Sequence, residues 1–327
     1  MTLSAPITLA LHDVGADGLR VLVDDVRRGL RDTPKHLPSR YLYDERGCEL
    51  FEAITELPEY YVTRTEDGLL RQYAGEIVDA AQPEAIVELG SGSCRKTQSF
   101  IEAGRRRERL RHFVPFDISE GAVRTASGDL VGRFPGLLVH GVVGDFEAHL
   151  AAVPRLGQQL VLFLGSTIGN LEPDEQVAFL RQVRALLEPD DAFLLGVDLV
   201  KDEALFDAAY NDAQGITAAF NLNLLEVLNR ELSANFDLEA FEHLAFYEAA
   251  AQRVEMHLRS RRDQSVDVPG AGLRADFDAG ECLRTEISAK FTLGTARAVL
   301  ENAGMRLCEW YTDQEQRFGL ALARPAA

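Results

Sequence analysis

The segment at residues 85–97 has the residue types and spacing that bind a nucleoside. It reads Ala-Ile-Val-Glu-Leu-Gly-Ser-Gly-Ser-Cys-Arg-Lys-Thr, so a short β-branched run leads into Gly90 and Gly92 and then into a helix start. Glycine tolerates positive φ and lets a ligand approach the backbone without meeting a Cβ. The turn is shorter than a Gly-x-Gly-x-x-Gly fingerprint and lacks the Gly-Lys-Ser/Thr ending of a phosphate loop. We therefore interpret it as a cradle for S-adenosylmethionine (SAM), the alternative being an ordinary strand-to-helix corner.

Acidic residues follow the next two predicted strands. Asp117 ends the strand at 112–117, and an acid at this place in a doubly wound sheet accepts hydrogen bonds from ribose hydroxyls. Asp145 and Phe146 follow the strand at 137–143, and such a pair can bind adenine and stack on it. Taken alone, Asp145 could equally cap a helix. The three strand ends together indicate a SAM site more specifically than any one of them.

The fourth predicted strand, at 160–164, is almost entirely apolar, as expected for a strand buried on both faces. It opens into Gly165-Ser166-Thr167-Ile168-Gly169-Asn170. Open α/β sheets bind ligands at the carboxyl ends of their strands, so Asn170 is predicted to lie near the transferred group. The alternative is a plain turn residue after Gly169.

Further candidates lie outside the predicted sheet. The N-terminal segment is helical in pattern but rich in aromatic side chains, which suits either a core or a pocket for a cationic or aromatic ligand. These side chains are Tyr41, Tyr43, Phe51, Tyr60 and Tyr61. Near the other end of the chain, Glu286 and Ser288 share a face if they lie in a strand, where they could bind one polar ligand.

The elements that would position these residues form an α/β fold. Strands and helices alternate from 85 to 199, which predicts a Rossmann-like, mostly parallel methyltransferase sheet, and a C-terminal antiparallel hairpin is predicted at 305–311 and 318–323. We expect two domains. A discontinuous α+β substrate-binding domain comprises 1–64 plus 201–290, and a SAM-binding domain comprises 65–200 plus 291–327.

Composition narrows the class of partner. The 327 residues include 52 acidic and 34 basic side chains, for a formal net charge of −18, which disfavours nucleic acid and anionic lipid. The four cysteines are widely spaced and indicate neither a metal site nor a disulfide framework. No leader-like segment opens the chain, and no apolar run approaches the length of a membrane span. We expect a soluble, cytoplasmic monomer that acts on a small molecule without a metal.

The chain resembles the SAM-dependent histidine Nα-methyltransferases of ergothioneine biosynthesis over nearly its whole length. Two strings are highly specific, Tyr-Tyr-Val-Thr-Arg-Thr-Glu at 60–66 and Gly-Ser-Thr-Ile-Gly-Asn at 165–170. Further matches are Val-Glu-Leu-Gly-Ser-Gly at 87–92, Asp-Leu-Val-Lys-Asp at 198–202, Asn-Arg-Glu-Leu-Ser-Ala at 229–234 and Thr-Glu-Ile-Ser-Ala-Lys-Phe at 285–291. The chain departs from the family pattern at Tyr41-Leu42, where an aromatic pair is usual.

The resemblance implies a role for each matching residue. Contacts with the cofactor are implied for Tyr43, Gly90, Lys96, Asp117, Asp145 and Phe146. Substrate binding is implied for Phe51, Tyr60, Gly165, Asn170, Tyr210, Thr217, Met256, Glu286 and Ser288. Among these, Asn170 and Tyr210 would hold the amino and carboxylate ends of the amino acid, and Glu286 with Ser288 would take the imidazole. Asn170, Tyr210 and Tyr43 are the implied catalytic residues.

The implied reaction is transfer of the SAM methyl group to the α-amino nitrogen of L-histidine, repeated to give the trimethyl betaine hercynine and leaving S-adenosylhomocysteine. Glu286, Ser288 and Met256 together favour histidine over a tryptophan derivative. Three alternatives stay open: an N-methyltransferase of another amino acid, a nicotinamide-dependent dehydrogenase on a similar sheet, and a SAM-binding regulator without catalysis.

Overall fold

The computed structural model describes residues 6–12 and 15–326, except for the side chains of residues 15–17, 146 and 147. Within that part, the strands in chain order are β1 (Ile7–Leu11), β2 (Lys35–His36), β3 (Ala85–Leu89), β4 (His112–Asp117), β5 (Leu138–Val143), β6 (Gln159–Phe163), β7 (Ala192–Asp198), β8 (Phe241–Glu248), β9 (Arg253–Ser260), β10 (Gln264–Val268), β11 (Leu273–Phe277), β12 (Cys282–Ala289), β13 (Met305–Thr312) and β14 (Phe318–Pro325).

The α-helices of the same part are α1 (Gly15–Gly29), α2 (Glu45–Thr55), α3 (Tyr61–Ala81), α4 (Gln98–Arg106), α5 (Glu120–Arg133), α6 (Phe146–His149), α7 (Pro173–Leu186), α8 (Glu203–Tyr210), α9 (Ile216–Leu232) and α10 (Leu293–Asn302). In the described residues no helix combines the length and the apolarity needed to cross a membrane.

An eight-stranded sheet has the order β1-β5-β4-β3-β6-β7-β14-β13. The strands from β1 to β7 in this order run parallel, whereas β14 is antiparallel to both β7 and β13. Every residue of β3, β6 and β7 is buried, which explains their apolar sequences. The predicted α/β fold, with its mostly parallel sheet and C-terminal hairpin, is confirmed.

The chain divides into two compact units. Unit 1 comprises residues 1–14, 65–199 and 291–327, and unit 2 comprises residues 15–64 and 200–290. The expectation that everything before residue 65 lies outside the large sheet is wrong at one place, because β1 pairs in parallel with β5 and forms an edge of that sheet. A five-residue strand whose partner lies far along the chain gives little local signal.

Unit 2 is built on a second sheet, with the order β2-β12-β9-β8. Helix α9 packs against this sheet through buried polar groups as well as apolar ones. The Asn221 amide donates to the His257 carbonyl at 2.9 Å, and its oxygen accepts from the Thr285 hydroxyl at 2.6 Å. These bonds join α9 to both β9 and β12, and so fix the position of the helix relative to the two central strands.

Candidate active site

The glycine turn after β3 leaves its backbone open. Gly90 and Gly92 have φ of +70° and +47°, in the left-handed region that favours glycine. A Cβ built on either residue would meet no atom within 4 Å. The amide of Gly90 donates to the Phe116 carbonyl at 2.8 Å, which fixes the turn against the end of β4. This geometry fits the close approach of a nucleoside-bearing ligand.

Asp117, at the end of β4, is held by the same turn. One carboxylate oxygen accepts the Gly92 amide at 2.8 Å and the other accepts the Ser119 amide at 3.0 Å. A carboxylate has about four acceptor positions, so each oxygen keeps a lone pair for a further donor such as a ribose hydroxyl. The predicted role of Asp117 is compatible with this arrangement.

Asp145 follows β5 and directly precedes α6. Because β3, β4 and β5 are neighbouring parallel strands, Gly90, Asp117 and Asp145 all lie at the carboxyl ends of the strands, on the same side of the sheet. The amide of Asp145 donates to the His149 ring at 3.1 Å. The side chain of Phe146 lies outside the described part of the chain, so its stacking on adenine stays a prediction.

An ion pair between the half-buried Lys96 and the buried Glu66 connects the segment after the glycine turn with the loop after β6. The Lys96 ammonium lies 2.5 Å from Glu66 Oε2, and the other oxygen of Glu66 accepts the Gly165 amide at 2.6 Å. Glu66 is fully buried. Glu66 was given no role from the sequence, although it ends one of the two highly specific strings of the family resemblance. Its bonds show that it positions two predicted site residues at once.

Glu88 is a second buried acid in this region. Burial raises the pKa of its carboxyl to about 7, although the Lys96 ammonium opposes the rise. One of its oxygens, Oε2, has no hydrogen-bond partner among the described residues. A carboxyl group in such surroundings favours its neutral form.

The loop after β6 has an unusual backbone. Gly165 has φ of +75°, and the next residue, Ser166, also adopts the left-handed region at +59°. The Ser166 hydroxyl accepts the Asp198 amide at 2.9 Å, which joins the loop to the end of β7. Residues 167–170 then form a 3₁₀ turn that ends at the half-buried Asn170. Strain of this kind in a non-glycine residue is typical of functional sites.

The aromatic side chains of unit 2 form one cluster. The Tyr43 ring lies 5.6 Å from the Phe51 ring and 5.3 Å from the Phe220 ring, both in edge-to-face orientation. The Tyr60 ring contacts Phe51 edge-on at 6.2 Å. Phe220 is the member that the sequence analysis did not assign to the site. Its position one turn after Thr217 on α9 is the helical spacing that could have revealed it.

Asp44 holds this cluster against α9. Its Oδ1 accepts the Gly47 amide at 2.8 Å, which caps α2, and the Asn223 side chain at 2.7 Å. Its Oδ2 accepts from Arg230 at 2.9 Å. The neighbouring Tyr41 hydroxyl donates to Asp25 at 2.6 Å. Asp44 therefore has a structural role, since it anchors the backbone next to Tyr43.

Glu286 and Ser288 lie on one face of β12, as their spacing predicts. Met256 of β9 is paired with Glu286, and the register shifts between Arg284 and Glu286. Such bulges re-aim side chains and are frequent beside active sites. Thr217, at the start of α9, is buried in the same unit. The structure thus places Glu286, Ser288 and Met256 together.

The Glu286 carboxyl is buried and its Oε2 has no hydrogen-bond partner among the described residues. Burial raises its pKa to about 7, and the positive charge of Lys290 opposes the rise. A buried acceptor without a donor costs about 1–3 kcal/mol. This oxygen is suited to accept an N–H from a ligand.

Tyr210 ends α8 and its ring is largely buried. Its hydroxyl oxygen accepts from the Lys290 ammonium at 3.1 Å, and its carbonyl accepts from the His243 ring at 2.9 Å. Lys290 also donates to Ser288 at 2.8 Å. Lys290, which contacts the two predicted site residues Tyr210 and Ser288, was not identified from the sequence. It nevertheless continues the period of two set by Glu286 and Ser288.

The predicted residues fall in both units. Unit 1 holds Gly90, Lys96, Asp117, Asp145, Phe146, Gly165 and Asn170, and unit 2 holds Tyr43, Phe51, Tyr60, Tyr210, Thr217, Met256, Glu286 and Ser288. Within residues 6–12 and 15–326, no three His, Cys, Asp or Glu side chains are grouped so as to hold a metal ion.

Comparison with known proteins identifies relatives over the full chain. The family model described as "Histidine-specific methyltransferase, SAM-dependent" matches residues 22–325. The chain is 49% identical over 323 residues to the histidine N-alpha-methyltransferase of Mycolicibacterium smegmatis, covering 99% of both chains. It is 45% identical to the protein of that name from Mycobacterium tuberculosis, covering 97% of this chain and 99% of the relative. It is also 34% identical to ergothioneine biosynthesis protein 1 of Neurospora crassa, over 66% of this chain and 27% of that protein.

Proposed function

Because the chain belongs to the histidine-specific, SAM-dependent methyltransferase family, we propose that it transfers methyl groups from SAM to the α-amino nitrogen of L-histidine, as a step of ergothioneine biosynthesis. The observation that carries the choice of substrate is Glu286. Among the described residues its buried carboxyl oxygen Oε2 has no hydrogen-bond partner, and Glu286 lies on the same face of β12 as Ser288 and is paired with Met256 of β9. A ring N–H of imidazole supplies the donor that this oxygen lacks.

Unit 1 is proposed to bind the cofactor. The open backbone at Gly90 and Gly92 and the remaining acceptor positions of Asp117 suit the nucleoside of SAM. Asp145 and Phe146 are proposed to take the adenine, and Lys96, held by Glu66, the amino-acid end. When bound, SAM supplies an electrophilic sulfonium methyl group. Unit 2 is proposed to be the substrate-binding domain.

The residues that hold the amino acid act chiefly by positioning. An α-amino group has a pKa of about 7.7–8.0, so roughly a tenth of it is unprotonated near neutral pH. A strong base is therefore not required, and orientation supplies most of the rate, with effective molarities of about 10⁵ M or more. We assign Asn170 to the amino group and Tyr210 to the carboxylate, with Tyr60 and Thr217 as part of the wall.

The aromatic cluster suits repeated methylation. Each added methyl removes a hydrogen-bond donor from the nitrogen and leaves a cation that requires an apolar or aromatic wall. Tyr43 and Phe51 provide ring faces and edges of this kind, and a cation-π contact contributes about 0.5–2 kcal/mol. We therefore propose that three methyl groups are added, giving the trimethylated betaine of histidine. Separately, we propose that the enzyme acts as a cytoplasmic monomer.

Mass spectrometry of the products tests this function. The protein is incubated with SAM and each of the twenty amino acids separately, and the products are examined for gains of one, two or three methyl groups. We expect all three species from histidine, with the third accumulating at long times. Transfer to tryptophan with none to histidine would contradict the choice of substrate. SAM binding without transfer to any amino acid would indicate a regulator instead of an enzyme.

A further inference from the structure

Lys290 is a buried cation beside the proposed substrate residues, and none of the roles above uses it. It follows β12 directly, and its side chain is only 3% exposed. The backbone amide of Lys290 donates to the Gln252 carbonyl at 2.8 Å, which fixes where the side chain starts. Burying an ammonium group is costly unless it is paired, so the contacts of this side chain carry information about its purpose.

The contacts of the ammonium group include two hydrogen bonds and two aromatic rings. It donates to the Ser288 hydroxyl at 2.8 Å and to the Tyr210 hydroxyl at 3.1 Å. It also lies 5.1 Å from the Tyr210 ring centre and 5.3 Å from that of Phe206. Both hydroxyl partners are residues proposed to touch the amino acid. Lys290 therefore connects the two ends of the proposed substrate site.

The chemistry of the donor sets the direction of both hydrogen bonds. An ammonium group has three donors and no acceptor, so Ser288 and Tyr210 must accept in their bonds to Lys290. A hydroxyl that accepts in this way does not spend its own proton on that bond. The proton of Tyr210 is then suited to a carboxylate, and the proton of Ser288 to an unprotonated ring nitrogen.

We propose that Lys290 is a positioning residue that sets the Tyr210 and Ser288 hydroxyls as donors, so that Tyr210 donates to the carboxylate of histidine and Ser288 to the unprotonated nitrogen of a neutral imidazole. With Glu286 accepting the ring N–H, this arrangement selects one neutral tautomer of the ring. The inference rests on the proposed function, since it specifies how the same site reads its substrate.

Steady-state kinetics of Lys290→Met and Lys290→Arg test the inference. Methionine keeps the length of the side chain and removes the charge, whereas arginine keeps a donor-only cation. Lys201→Met is the matched control, because Lys201 donates to Tyr61 at 2.8 Å and lies over the same Phe206 ring. The substrates are L-histidine and L-histidinamide, in which a neutral amide replaces the carboxylate. Calorimetric SAM binding checks that each variant is folded.

We expect Lys290→Met to raise KM for histidine at least about tenfold, the size of one lost hydrogen bond to a charged group. It should also reduce the preference for histidine over histidinamide by about as much, with SAM affinity within about twofold of the parent. Lys290→Arg should recover part of the preference, and Lys201→Met should keep it. A folded Lys290→Met protein that discriminates the two substrates as the parent does would overturn the inference.

A measurement on the unaltered protein covers the case in which the variants do not fold. Nitrogen-15 NMR of ring-labelled histidine, bound together with S-adenosylhomocysteine, distinguishes protonated from unprotonated ring nitrogens. We expect one of each. Two protonated nitrogens would overturn the assignment of Ser288 as a donor. If the unaltered protein transfers no methyl group to histidine at all, the proposed function fails, and that outcome is distinct from either result on Lys290.

Discussion

Glu286 is the side chain on which the choice of substrate depends, and Glu286→Gln tests it with almost no change of shape. The amide oxygen still accepts a hydrogen bond but carries no charge, so we expect affinity for histidine to fall at least about tenfold. Burial raises the Glu286 pKa to about 7. The deficit of the variant should therefore grow as pH rises through 7, where the carboxylate of the parent becomes ionised.

Isothermal titration calorimetry with histidine, at several pH values, measures this effect. The control is Glu49→Gln, an exposed position on α2 in the same unit. Equal affinities of Glu286→Gln and the parent above pH 7 would show that the carboxylate does not bind the ring.

The buried Glu88 carboxyl should make the free energy of unfolding depend on pH. Its pKa is raised from an ordinary value of 4.5 to about 7 by burial. The folded state therefore binds a proton that the unfolded state lacks between these values, so stability falls as pH rises from 4.5 to 7. Relative to Glu88→Gln, the parent should lose on the order of 3 kcal/mol of unfolding free energy across this window.

Urea unfolding at pH 5 and pH 8 measures that difference directly. Asp129→Asn, on the exposed side of α5, serves as the control for a general effect of charge removal. If the parent and Glu88→Gln differ by the same amount at both pH values, the folded protein does not hold Glu88 protonated.

At the residue scale, the candidates that the sequence offers are side chains that follow strands or share a short-range period. Asp117 and Asp145 stand at strand ends, and Glu286 and Ser288 are two residues apart. Glu66 and Lys290 were missed, because their partners are defined by folding. Gly165, which donates a hydrogen bond to Glu66, is 99 residues away in the sequence. Tyr210, which accepts one from Lys290, is 80 residues away. Charged side chains in a sequence are ordinarily read as solvated, which hid these two.

At the element scale, β7 must approach α3 closely, and Gly196 makes this possible. A Cβ at Gly196 would lie 2.5 Å from Glu66 Oε1 and 3.2 Å from the Phe318 ring. We expect Gly196→Ala to displace the Glu66 carboxylate and to destabilise the protein by about 1–3 kcal/mol, as overpacking in a core does. Weaker SAM binding should accompany the loss, because Glu66 holds Lys96.

Thermal unfolding and calorimetric SAM binding check this prediction against Gly128→Ala. Gly128 lies within α5, and a Cβ there would meet nothing within 4 Å. Alanine in an exposed helix interior should stabilise by about 0.5–1 kcal/mol. A Gly196→Ala protein as stable as the parent would contradict the prediction, because it would show that Glu66 and Phe318 can move aside for the added Cβ without loss of stability.

The elements themselves were predictable where their pattern is long or buried. The strands β3, β6 and β7 were recognised because burial on both faces makes their sequences mostly apolar, with one polar or charged residue in each. The edge strand β1 was missed, since Ile7–Leu11 is largely exposed or half-buried and the strand that it pairs with, β5, begins at Leu138. Pairing over such a distance is a tertiary event that local pattern does not report.

At the scale of the whole molecule, the net charge of −18 makes a prediction about association. Like-charged copies repel one another over about 10 Å at 0.1 M salt, which opposes self-association. We expect light scattering coupled to gel filtration to give the mass of one chain, 36.1 kDa, from low to moderate salt. Twice that mass at all salt concentrations would contradict the proposed monomer.

The chain crosses between the units four times, which has a consequence for synthesis on the ribosome. Unit 2 begins at residue 15, pauses at 64 and resumes only at 200. Helices α1 and α2 therefore emerge well before α9 and the strands β8, β9 and β12 of the same unit. At translation rates of about 5–20 residues per second, the delay is on the order of 10 s. During that interval the Tyr43 and Phe51 rings lack Phe220, the ring of α9 that they contact in the folded protein. We therefore expect the nascent N-terminal segment to expose apolar surface until α9 has been synthesised.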